Sequence, residues 1–80
     1  MADANTSFII SATYNNNGES FTQYLKLSKT GRLGATTNRA KAQAFTRLEA
    51  QAMRLRRIEG DAKYGYTPGV DGYSVEVIPA

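Results

Sequence analysis

The sequence predicts an α+β fold: an antiparallel sheet of three to four strands (β-β-(β)-α-β) with one helix packed on one face. Three observations predict it. Runs that alternate apolar and polar residues lie towards both ends of the chain, the period-two signature of half-buried strands. Between them, residues 38–59 contain no Gly or Pro and are rich in Ala and Leu, which favours a helix. A chain of 80 residues has room for one two-layer domain around one core. Residues 1–80 are therefore read as a single small domain, with 1–6 as a flexible N-terminus.

In the first strand Phe8, Ile10, Ala12 and Tyr14 alternate with Ile9, Ser11 and Thr13. Asn15-Asn16-Asn17-Gly18-Glu19 follows and reads as a hairpin loop of about four to five residues, because Asn and Gly tolerate positive φ. The second strand, Phe21 to Leu27, sets Phe21, Leu25 and Leu27 on one face and Thr22, Tyr24 and Lys26 on the other. Lys29-Thr30-Gly31 is a turn. Residues 32–36 add a short third strand, weakened by its glycine.

The helix is predicted over Asn38 to Glu59, capped by Thr37 or Asn38, with Gly60 as its stop. On a helical wheel Ala40, Ala44, Phe45, Leu48, Gln51, Ala52, Leu55 and Ile58 share about 140° of arc. Lys41 falls in the same arc. Thr46-Arg47-Leu48-Glu49 fits a capping box. A short first turn, followed by a new helix from Arg47, would account for both. Residues 60–72 form a long loop rich in Gly and Tyr, and Tyr73 to Ile78 is the last strand. The expected core is Phe8, Ile10, Ala12, Leu25, Leu27, Phe45, Leu48, Ala52, Leu55, Val75 and Val77. The second sheet face, with Ile9, Thr13, Thr22, Tyr24, Lys26, Ser74, Glu76 and Ile78, is expected to stay open.

Composition excludes much chemistry. There is no Cys and no His, so disulfide scaffolds, thiolate metal sites, thiol nucleophiles and Ser-His machinery are absent. The acids make no metal-ligand spacing, and residues 60–72 lack the phosphate-loop and dinucleotide fingerprints. No enzyme, no cofactor and no metal are expected. No apolar run approaches the roughly 20 residues that span a bilayer. With no secretory signal at its start, the chain is expected to be soluble and cytoplasmic.

What remains is surface. The formal net charge of +3 divides as +1 over residues 1–38, +4 over 39–59 and −2 over 60–80. The wheel sets Arg39, Arg47, Arg54 and Arg57 as a ridge on the solvent side of the helix, where guanidinium forks suit carboxylate or phosphate. Such a ridge also serves simply as a solvated face. Tyr64 and Tyr66 stand in the glycine-rich loop, and tyrosine suits recognition surfaces; equally, loop tyrosines can fold back over the core. The order of elements and the stretch Ala44 to Ala50 resemble small proteins of phages and mobile elements, in style, over about half the chain; the likeness transfers no site. The expected function is a non-enzymatic module that binds a host or partner protein with an acidic surface, such as an accessory factor or inhibitor of a nucleic-acid-handling machine. Arg47, Arg54, Arg57, Tyr64 and Tyr66 are the expected contacts. Direct nucleic-acid binding through the same helix is the first alternative. A structural subunit, or a homodimer through Ile9, Tyr24 and Ile78, is the second.

Overall fold

Asn17 and Gly18 set the first half of the fold. Both have positive φ, 54° and 86°, as a two-residue hairpin turn requires to match the right-handed strand twist. The computed structural model describes residues 7–80, so the expected flexible segment 1–6 lies outside the described residues. β1 (Phe8–Asn16) and β2 (Glu19–Leu27) pair antiparallel right up to Asn16↔Glu19. The expected four- to five-residue loop is thus a two-residue turn, and the flanking asparagines belong to the strands. The weak third strand exists as β3 (Leu33–Thr36), paired with β2. β4 (Ser74–Pro79) returns beside β1, giving the antiparallel order β3-β2-β1-β4. β4 pairs no further than Thr13 and β3 no further than Tyr24. Residues 14–21 therefore project as a two-stranded arm.

The stretch from 38 to 45 is not part of the long helix. Asn38 caps a single 3-10 turn, Arg39–Lys41, accepting from Ala40 N through its side chain. The chain then extends and enters the sheet. Pairing of β1 with β2 stops at Ser11↔Tyr24, and the segment fills the gap beyond. Gln43 N donates to Leu25 O at 3.1 Å, and Leu27 N donates to the Gln43 side chain at 2.7 Å. Phe45 and Phe8 exchange both backbone bonds, at 2.9 and 2.8 Å. Lys41 sits outside the helix and in solvent, which removes the anomaly on the wheel.

The helix proper, α1 (Arg47–Ala62), opens on the anticipated capping box: Thr46 Oγ1 accepts from Glu49 N at 3.2 Å, and Thr46 N donates to Glu49 Oε1 at 3.0 Å. Gly60 does not stop it; the helix runs two residues further, shortening the expected 60–72 loop.

α1 packs on β1 and β4 with a face other than the expected one. Leu48 and Leu55 are 79% and 57% exposed, and Ala52 is exposed with them. The inward stripe is Ala50, Met53, Arg54, Arg57, Ile58 and Asp61, at three- and four-residue spacing. The helix is turned by about half a revolution from the wheel's choice. Ala50 has no bulk to hold the helix off the sheet. The arginine stems lie along it, as long aliphatic stems can, and their polar ends find partners described below. The buried core is Ile10, Ala12, Leu25, Phe45, Ala50, Tyr73 and Val75, bordered by Phe8, Tyr14, Leu27, Leu33, Ala35, Met53, Ile58 and Val77. On the second face Ile9, expected open, is buried, and Ser11 beside it is buried too. Arg39, Ala40, Ala42 and Ala44, arriving from the inserted segment, line the recess at Ile9.

Candidate functional site

The polar ends of the inward stripe form one knot. Arg57 Nε donates to Asp61 Oδ2 at 2.7 Å and Arg57 Nη2 to Gln23 Oε1 at 3.1 Å. The Tyr73 hydroxyl donates to the same Asp61 oxygen at 2.6 Å. Burial pushes the Tyr73 phenol well above the ordinary tyrosine range. The hydrogen bond to Asp61 and that carboxylate's charge push the same way, against the weaker pull of Arg57 and Arg54. Tyr73 is therefore a neutral donor at all physiological pH. The knot bolts the C-terminal turn of α1 to β2 and to the start of β4.

An aromatic ladder stands beside it. Phe21 stacks on Tyr14 with centroids 5.8 Å apart, Tyr14 meets Tyr66 at 6.1 Å, and Tyr66 meets Tyr73 at 5.2 Å. The ladder ties the 63–73 loop to the projecting arm. Gly72 permits this approach: its φ is +76° and a Cβ there would run into the Asn15 side chain. Tyr66 thus folds back as a rung and is 40% exposed, while Tyr64 stands out at 82%. The recess of about 190 Å³ inside the ladder is walled by Tyr14, Arg57, Asp61, Tyr66 and Tyr73. Arg57, Asp61 and Tyr73 already bond one another there.

The expected basic ridge does not exist as one surface. Arg57 is held in the knot. Arg54 is half-buried, its Nε donating to Val75 O at 2.6 Å. Arg39 reaches the opposite end of β4, where Nη2 donates to Pro79 O at 3.3 Å. Arg47 alone of the four keeps an exposed position with no hydrogen bond among the described residues; its guanidinium lies over the Phe8 ring, 5.0 Å from the centroid, a cation–π contact. The wheel ranked apolar residues inward by their hydropathy, whereas Asp61 and Tyr73 supply partners that make an arginine-bearing face the better one to bury.

What this leaves outside is the apolar stripe of α1. Leu48, Ala52 and Leu55 follow each other at four and three residues along the solvent side. On the β4 flank of the same helix lies an open groove of about 600 Å³, lined by Phe8, Arg47, Gln51, Arg54, Leu55 and Val77. Leu48 and Leu55, expected in the core, are surface residues, whereas Phe8 and Val77 border the core as expected and show only an edge to the groove. Among the described residues no group of three acidic side chains gathers as a metal site, and no helix is long and apolar enough to cross a membrane.

Compared with known proteins, the chain matches no family model, no curated protein and no solved structure.

Proposed function

We propose that this protein is a non-enzymatic binding module that docks another protein on the solvent side of α1. One observation carries the reading: Leu48 and Leu55, on one helical stripe, are 79% and 57% exposed in a chain whose core is small. Contiguous exposed apolar surface marks interaction sites. Arg47 and Arg54 border the stripe through the neighbouring groove, so an acidic partner surface fits. Tyr64, free of the aromatic ladder, is a further contact of the kind recognition surfaces use. Arg57 and Tyr66 leave the list of direct contacts and act by holding the helix and the loop. The module works by occupying its partner, as an accessory factor or inhibitor does. A cytoplasmic setting is part of the same proposal. Direct nucleic-acid binding has less behind it, because Arg57 is committed inside the molecule and the two arginines left at the groove stand beside apolar Phe8, Leu55 and Val77.

Affinity capture from the native cell with three baits tests this: the wild type, a Leu48→Asp/Leu55→Asp double variant and Tyr64→Ala. The double variant is expected to lose a protein that the wild type retains, at unchanged circular dichroism. An identical captured set from wild type and double variant overturns the reading.

A further inference from the structure

We infer that the occupant of the groove between α1 and β4 is an acidic amphipathic helix of the partner protein. The inference rests on the docking function proposed above and names the partner's chemistry. Charge is the first argument. The six lining residues include two arginines and no carboxylate. Arg47 makes no hydrogen bond among the described residues, and Arg54 spends only its Nε, on Val75 O, leaving both terminal nitrogens free there. Guanidinium donors at an apolar wall call for carboxylates on what covers it.

Spacing is the second. Arg47 and Arg54 lie seven residues apart on one helix, about 10 Å along its axis. A partner helix presents carboxylates two turns apart at the same interval. Beside the arginines Leu55 and Val77, with the Phe8 ring under Arg47, offer an apolar floor for its leucine-type anchors, the usual arrangement when a helix lies in a groove.

Two other occupants, an extended segment and a second copy of this chain, fit less well. Ala80 N donates to Ser7 O, so the alternation of the antiparallel ladder turns the backbone groups of Val75, Val77 and Pro79 towards the free edge. Arg54 caps Val75 O and Arg39 caps Pro79 O, and Pro79 has no N–H. An extended segment adding itself to β4 would find two of the three outward carbonyls already bonded and one of the outward N–H groups missing at Pro79, the kind of covering that protects edge strands from pairing. The same groove on a second copy of this chain brings two further arginines and no carboxylate, so it offers these arginines no partner.

The test uses the full chain and two synthetic peptides of about 16 residues, long enough to hold some helix. One carries Leu at i, i+4 and i+7 with Glu on both flanks; its twin carries Lys in place of Glu. Binding is followed by backbone amide shifts in two-dimensional NMR and by fluorescence anisotropy. The Glu peptide is expected to bind saturably, moving Phe8, Arg47, Gln51, Arg54, Leu55 and Val77, with the Lys twin at least about tenfold weaker. Leu55→Asp is expected to abolish binding. Arg47→Glu is expected to weaken the Glu peptide and narrow the gap to its twin, an outcome that misfolding does not produce. Equal binding of the two peptides, shifts centred elsewhere, no saturable binding, or self-association lost in Leu55→Asp by light scattering each overturn the inference. In those cases a capture that still depends on Leu48 and Leu55 leaves the docking function standing. A capture that does not depend on them removes both.

Discussion

Asp61 sits in the last turn of α1, where the negative end of the helix dipole disfavours a carboxylate. The order Arg57 then Asp61, at i and i+4, is also the less favourable one for such a pair. Two short charge-assisted bonds, from Arg57 and from Tyr73, offset both costs. Their consequence appears at high pH. An unfolded tyrosine loses its proton near pH 10, while Tyr73 in the folded protein holds its proton to higher pH. Above pH 10 the unfolded state therefore binds fewer protons than the native state, and stability falls as pH rises. Tyr73's contribution is fully present below about pH 10 and is lost as pH climbs towards the folded value. Tyr73→Phe is expected to cost about 1–3 kcal/mol at neutral pH, as loss of a hydrogen bond to a charged group does. It is also expected to flatten the alkaline decline seen by urea unfolding. An alkaline slope identical to that of the wild type would contradict this. The Arg57–Asp61 pair was hidden in the sequence, because Gly60 reads as a helix stop and leaves Asp61 in the loop, and because the third member, Tyr73, lies 12 residues further on.

At the scale of elements, the caps and turns were legible because their causes are local. The Thr46–Glu49 capping box marked the true start of α1, and it also marked the break before it. The short hairpin turn was half-read, since five turn-forming residues in a row do not say which two carry the positive φ. Gly60 misled because a glycine inside a helix costs only about 1 kcal/mol, and the Asp61 contacts just beyond it outweigh that. The rotation of α1 makes a direct prediction. Leu48→Ala and Leu55→Ala are each expected to change stability by no more than about 0.5 kcal/mol, as exposed substitutions do. Ala50→Leu is expected to cost about 1–3 kcal/mol by overpacking, because Ala50 is wholly buried. Chemical denaturation of the three variants checks the order. If Leu55→Ala cost more than Ala50→Leu, the helix would face the other way.

At the scale of the molecule, the inserted segment holds the two layers together. β1 and β2 part beyond Ser11 and Tyr24, and the chain passes into the opening, bonding to Leu25 and Leu27 through Gln43 and to Phe8 through Phe45. Phe45 then buries its ring in the core. Phe45→Ala is expected to cost about 3–5 kcal/mol, a large part of the total for so small a domain. Urea unfolding measures it, and faster amide exchange of Phe8 and Leu27 is expected to accompany it; a cost below about 1 kcal/mol would show that the segment is peripheral. The sequence by itself determined the class of the fold, the strands and their order of appearance, the hairpin, and the capped helix with the break before it. Each of these is fixed by residues within a turn or two of one another, through period, φ preference or a cap. Only the tertiary structure decided which side of α1 is buried and therefore which surface is left for a partner. That choice rests on bonds between distant residues — Arg54 to Val75, Arg57 to Gln23, Tyr73 to Asp61 — that satisfy polar groups under the helix. A periodicity that ranks side chains by hydropathy alone has no term for them.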